Sequence, residues 1–210
     1  MKTCLWYSLF IWFNFLIQVG NSQSTDPLKE NIQKTVLALK HLTTLDKLDR
    51  IISIEEVIML YEERAYSPLW WNNGARNVQI DEAINLLKSA YDEGLDPSDF
   101  HYEELVDLMN AIHQKVSSKV SLEREVAFEV LLTDGLLTYA KHLYAGKINP
   151  DYFDRYWHAE GKELVINYYR YLLNAISSNT LTESYEKLKN TNQGYLELKK
   201  ALQYYRQLSD

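Results

Sequence analysis

The sequence has 210 residues, of which 46% are hydrophobic and 24% are charged, as is typical of a globular protein with a hydrophobic core. Its formal net charge is −7. This acidic balance argues against nucleic acid or anionic lipid as the main partner, because both are bound through a basic face.

The first 22 residues have the layout of a secretory signal peptide. Lys2 gives a positive start, residues 4–19 are almost entirely apolar, and Gly20-Asn21-Ser22 offers small residues for cleavage. The apolar run is shorter than the roughly 20 residues of a spanning helix. We predict a signal peptide at residues 1–22 and a location in the periplasm, without a stable membrane span. The alternative is an inner-membrane anchor through uncleaved residues 4–19.

Helix signals follow directly. Asp26-Pro27 provides an N-cap and a proline at the first helical position, which opens an N-terminal helical segment, residues 23–53. Ser53 and Glu56 have the spacing of a capping box for the next helix. The helical pattern then breaks from residue 65 to residue 74.

The second half of the chain is also helical in pattern. One stretch ends at Gly94 with the order of a left-handed C-cap, and Asp96 is placed to cap the segment that Pro97 opens. The longest apolar pattern runs over residues 122–144 and stops at Gly146. Since no segment alternates with period two for long enough to predict a strand, the predicted fold class is all-α, an irregular multi-helix bundle.

Sequence patterns of common catalytic sites are missing. There is no zinc-hydrolase helix, no Gly-x-Ser-x-Gly elbow and no glycine-rich phosphate loop, so we expect no catalytic, metal or cofactor-binding residues and no cofactor. Cys4 is the only cysteine, and cleavage of the signal peptide would remove it. A hydrolase built on an unrecognised pair of carboxylates stays open. The histidines are scattered through the sequence, at His41, His101, His113, His142 and His158.

An aromatic block surrounds Arg64 in the region where the helical pattern breaks. The block reads Tyr61-x-x-Arg64-x-Tyr66-x-Pro68-Leu69-Trp70-Trp71. Its tryptophans have two interpretations, a sugar-stacking platform or a loop pinned to the core. We favour the loop, because tryptophan side chains usually become buried.

Asp134 lies on an apolar helix face, four residues after Val130 and three before Leu137. A carboxylate in such a place requires a partner. Our hypothesis is a buried pair of Asp134 with Arg64, which would tie the aromatic loop to the long helix.

These blocks, in this order, resemble the scaffold domain of large bacterial L,D-transpeptidases, the murein L,D-transpeptidase family. The resemblance covers residues 54–208, and we assign residues 54–210 to a scaffold-like helical domain. Gly135 departs from the family's more frequent alanine, which we expect to soften the helix. The residues that carry the resemblance, which we interpret as structural, are Tyr61, Arg64, Tyr66, Pro68, Leu69, Trp70, Gly94, Leu95, Pro97, Thr133, Asp134, Tyr139, Gly146, Pro150 and Trp157.

The resemblance implies a role in peptidoglycan cross-linking or organisation. Family members use a cysteine in a Ser-His-Gly-Cys motif of a separate catalytic domain, and this motif is missing here. We therefore expect a non-catalytic scaffold protein whose partners are peptidoglycan or peptidoglycan-synthesis proteins. The alternatives are the N-terminal part or remnant of a split transpeptidase, and a secreted helical interaction protein unrelated to the cell wall. We also expect an exposed apolar patch near the C-terminal helix, where family neighbours would dock.

Overall fold

The computed structural model of the chain describes residues 26–41, 51–72, 75–112, 118–148 and 166–209. The predicted signal peptide at residues 1–22, the alternative anchor at residues 4–19, and two of the signature positions, Pro150 and Trp157, lie outside these ranges. Within the described ranges, no helix has the length and apolar character that crossing a membrane requires.

Eight α-helices and one small hairpin form the described part of the chain, which confirms the all-α prediction. The helices are α1 (Pro27–Lys40), α2 (Ile54–Glu63), α3 (Ile80–Lys88), α4 (Tyr102–Ile112), α5 (Ser118–Ala145), α6 (Tyr168–Ser177), α7 (Leu181–Glu186) and α8 (Gln193–Ser209). Two 3-10 helices, Ser89–Glu93 and Pro97–Phe100, link α3 to α4. The hairpin consists of β1 (Trp71–Asn72) and β2 (Ala75–Arg76).

Helix α5 is the central element of the core. Every residue from Phe128 to Ala140 is buried, because α1, α2, α3, α4 and α6 pack around this helix. A helix with neighbours on all sides is apolar all round rather than amphipathic. The polar residues within that stretch therefore require partners inside the protein, and they organise the candidate site.

Helix α1 shares this core. Its buried residues, Leu28, Ile32, Val36 and Leu39, recur at helical spacing, and the helix packs against α2 and α5. The described part of the segment 23–53 is thus packed on the helices of the predicted scaffold-like domain.

Most of the predicted helix ends are found in the structure. Asp26 accepts a hydrogen bond from the backbone N–H of Leu28 at 3.0 Å, and Asp96 accepts one from Ser98 at 2.9 Å. Gly94 has the left-handed φ of 75° that the C-cap prediction requires. The capping box at Ser53 is wrong, since its side chain makes no capping hydrogen bond.

The hairpin was not predicted. Trp71 pairs with Arg76 and Asn72 with Ala75 in an antiparallel register. Strands of two residues are too short for a period-two pattern, so periodicity could not reveal them. The dipeptide Asn73-Gly74, which joins the two strands, is the sequence signal that favours such a turn.

Candidate functional site

A fully buried carboxylate, Glu129 of α5, holds the aromatic loop against the core. Its oxygens accept hydrogen bonds from the backbone N–H of Leu69 and from that of Trp70, the latter at 3.1 Å. The hydroxyl of Tyr61 donates to the same carboxylate at 3.0 Å. Because none of these groups can reach water, the loop and α5 are fixed to each other.

Thr133, one turn after Glu129, completes this set of contacts. Its hydroxyl donates to the backbone oxygen of Glu129 at 2.8 Å and accepts from the indole N–H of Trp70 at 3.0 Å. The hydroxyl oxygens of Thr133 and Tyr61 are 2.9 Å apart. Glu129 and Thr133 together therefore satisfy the buried polar groups of Tyr61, Leu69 and Trp70.

Burial makes Glu129 unusually easy to protonate. Loss of hydration raises the pKa of Glu129 from 4.5 to about 7, although the hydrogen bonds from Leu69, Trp70 and Tyr61 act in the opposite direction. Burial, followed by the nearby Glu129 charge, raises the pKa of Tyr61 well above 10. Tyr61 thus remains a donor at neutral pH, whereas Glu129 titrates near neutrality.

This titration predicts a stability change with pH. The folded state binds the Glu129 proton more tightly than the unfolded state, so the stability that this group contributes is fully present below pH 4.5 and is lost as pH rises through about 7. The expected contribution is about 3 kcal/mol. Urea unfolding of the wild type and of Glu129→Gln between pH 5 and 8 isolates it, because the other ionisable groups are common to both proteins. Parallel stability curves would show that Glu129 does not titrate in this range.

Asp134 forms a second buried contact between α5 and two distant segments. It accepts hydrogen bonds from the backbone N–H of Ile52 at 3.1 Å and of Ser53 at 2.6 Å. Its other oxygen lies 2.7 Å from Nε2 of His101, which follows the 3-10 helix Pro97–Phe100. The hydroxyl of Ser53, which does not cap α2, is instead 2.9 Å from that of Thr138.

The predicted pair of Arg64 with Asp134 is not formed. Arg64 donates to the backbone oxygens of Ser67 at 3.3 Å and Pro68 at 2.9 Å, while Asp134 is satisfied by His101 and by backbone N–H groups. The positive charge of Arg64 instead acts on Glu129, whose pKa it lowers. The link between the aromatic loop and α5 exists as expected, but Glu129 provides it.

The tryptophans of the aromatic block are buried. Trp70 has no exposed surface, and Trp71 is 8% exposed with its ring packed edge-on against Phe128 at 5.9 Å between centroids. A sugar ring stacks on an open aromatic face, and neither residue provides one. The geometry supports the interpretation as a pinned loop.

The signature residues divide into buried contacts and turn positions. Fully or nearly buried are Tyr61, Leu69, Trp70, Thr133, Asp134 and Tyr139. Tyr66 and Leu95 pack partly buried against the core. Gly146 ends α5 with a left-handed φ of 88°, and Pro97 opens the 3-10 helix that Asp96 caps.

Sequence reasoning missed two members of this site, Glu129 and His101. Glu129 could have been found by the reasoning applied to Asp134, because it too is a carboxylate among apolar residues of one helix. His101 offered no such signal, because its burial depends on the approach of a separate segment to α5. In the described ranges, no group of three or more His, Cys, Asp or Glu side chains is arranged to hold a metal ion.

Helix α8 carries the exposed apolar patch expected near the C-terminal helix. None of its residues is buried, and Leu198, Tyr205 and Leu208 are 72%, 68% and 66% exposed. These three positions share one helix face. The opposite side holds Lys199, whose ammonium group is 2.6 Å from Glu93. The prediction of an exposed apolar patch is confirmed.

The comparison with known families gives a match over most of the chain. The family model described as Scaffold domain matches residues 55–202, more than half of the chain. Comparisons with curated proteins and with solved structures give no significant match. The matched range contains nearly all of α2, the aromatic loop and α5, and therefore all the buried hydrogen-bond partners of Glu129. Of the partners of Asp134 it contains His101 but not Ile52 or Ser53.

Proposed function

Because the chain belongs to the Scaffold domain family and resembles that domain of L,D-transpeptidases, we propose that it is an exported, non-catalytic support for peptidoglycan cross-linking or organisation. It would bind peptidoglycan directly on a rigid helical framework. The acyl-transfer chemistry of the family requires a cysteine motif that these 210 residues do not contain. In this proposal the chain contributes binding and position only.

One observation carries the proposal, namely that the central aromatic and α5 residues of the family signature are buried. Tyr61 and Trp70 of the aromatic block and Thr133 and Asp134 of α5 are all fully buried. Their polar atoms are used in contacts within the protein rather than left free in an open cleft. Buried residues that satisfy one another's hydrogen bonds stabilise the helical fold, and a stable fold is what a supporting role requires.

Sedimentation with intact sacculi tests the proposal. We expect the purified protein without residues 1–22 to pellet with sacculi and to remain soluble without them. Peptidoglycan carries free carboxylates and the chain is acidic overall, so nonspecific charge attraction does not favour pelleting. A helical protein of similar size and charge is the control. Pelleting no greater than that of the control would contradict the proposal and favour an interaction protein unrelated to the cell wall.

The exposed face of α8 favours a second candidate function. Leu198, Tyr205 and Leu208 form an apolar stripe of the kind that marks contacts between proteins. This suits the alternative of a split transpeptidase, in which another chain supplies the cysteine domain. The two candidates are separated by identifying chains that co-purify from the native envelope, since only the second requires a chain containing Ser-His-Gly-Cys.

A further inference from the structure

A groove of about 630 Å³ lies beside the aromatic loop. It is bordered by the N-terminus of α1, by the loop after α2 and by the hairpin. Among the described residues, three cationic side chains line it, Lys29, Arg64 and Arg76, against the carboxylate of Asp26. This local excess of positive charge contrasts with the net charge of −7 of the whole chain.

Two of these cations have no carboxylate partner among the described residues. The side-chain ammonium group of Lys29 forms no hydrogen bond or ion pair there, and the guanidinium group of Arg64 donates to the carbonyl oxygens of Ser67 and Pro68. Arg76 does have a partner, Asp81, whose side chain is 73% exposed. Such a surface ion pair contributes little and can be exchanged for a better partner.

Two residues that line the groove carry buried donors without acceptors among the described residues. The indole N–H of Trp71 and the Nε–H of Arg76 are both shielded from solvent, and neither makes a hydrogen bond. Both groups can only donate. Because buried polar groups are nearly always satisfied, the group that completes this site has to be an acceptor.

We propose that this groove binds carboxylate groups of peptidoglycan stem peptides, an inference that rests on the proposed function. A carboxylate has only acceptor atoms, and its charge complements the cations of the groove. The volume of about 630 Å³ accommodates a peptide terminus together with adjoining apolar atoms. Lys29 and Arg76 are the residues that contact the carboxylate, while Arg64 adds charge and braces the loop.

Titration with a disaccharide-tetrapeptide muropeptide tests this inference, with amide chemical shifts of the protein as the measurement. We expect Lys29→Ala and Arg76→Ala each to weaken binding about tenfold, because each removes a charge-assisted hydrogen bond. The matched control is Lys34→Ala, which removes the same charge from an exposed position of the same helix and should bind as the wild type. Arg64 is left unchanged because it braces the loop.

A second probe isolates the carboxylate. The same muropeptide with its carboxylates converted to carboxamides is expected to bind at least tenfold more weakly. Equal affinity of the two probes, or unchanged affinity of both groove variants, would overturn the inference. If the variants then still pellet with sacculi, the supporting function stands and only the groove is wrong; if the wild type itself fails to pellet, the proposed function fails as well.

Discussion

Replacing Glu129 with alanine is expected to lower the free energy of unfolding by about 3 kcal/mol. The substitution leaves the backbone N–H groups of Leu69 and Trp70 without acceptors in a region that water does not reach. It also opens a cavity under the loop. Removal of the buried charge offsets part of this loss, so we place the measurement at pH 6, where Glu129 is largely protonated. Urea unfolding followed by circular dichroism gives the value.

The control for this variant lies on the same helix. Glu123 is 65% exposed and, among the described residues, pairs with Lys119 at 3.9 Å. Glu123→Ala is expected to change the free energy of unfolding by less than about 0.5 kcal/mol. If both variants lost the same small amount of stability, Glu129 would not hold the aromatic loop.

Replacing Gly135 with alanine is expected to destabilise the protein, against helix propensity. Propensity alone predicts a gain of about 1 kcal/mol, since alanine is the best helix former. In the structure, however, a Cβ at this position would lie 2.5 Å from the backbone oxygen of Phe100. The 3-10 helix Pro97–Phe100 would have to move, and we expect a loss of about 2–3 kcal/mol in the free energy of unfolding.

Gly194 provides the matched substitution. It lies in the exposed helix α8, where a Cβ would meet only the side-chain oxygen of Asn192 at 3.3 Å. Gly194→Ala is expected to leave stability unchanged or to raise it by up to about 1 kcal/mol. A loss of stability in Gly135→Ala, without a loss in Gly194→Ala, would establish the close approach of the Phe100 backbone to Gly135. A stabilising Gly135→Ala would refute that approach.

The helix ends were predictable because their causes are local. The side chain of Asp26 and the proline after it act on their own backbone, as do Asp96 with Pro97 and the left-handed turn at Gly94. Such signals need no knowledge of the tertiary structure. The capping box at Ser53 failed because Thr138, distant in sequence, offers its side chain a buried hydroxyl partner instead.

The partner of a buried charge was not predictable in the same way. Periodicity placed Asp134 on the inner side of α5, but it does not tell which neighbour lies opposite. Glu129 and Asp134 are five residues apart and point about 140° apart around the helix, so they meet different segments. Arg64 is held in its own turn by the carbonyl oxygens of Ser67 and Pro68, where Tyr66 has a left-handed φ of 60°.

Gly135 is a second residue whose tertiary contact could not be predicted from the sequence. In the sequence it reads as a weak point of the longest helix, because glycine favours flexibility. In the structure α5 continues through it from Ser118 to Ala145, and its missing side chain admits the backbone of Phe100. Glycine is required at this position because α5 packs closely against the 3-10 helix Pro97–Phe100, which is distant in sequence.

We propose that the chain supports peptidoglycan chemistry without performing it. Its most direct test combines sedimentation with analysis of the sacculi after incubation with the purified protein. We predict that the protein pellets with sacculi while the proportion of muropeptides cross-linked between two diaminopimelate residues stays constant. An increase in those cross-links, produced by this polypeptide alone, would contradict the account.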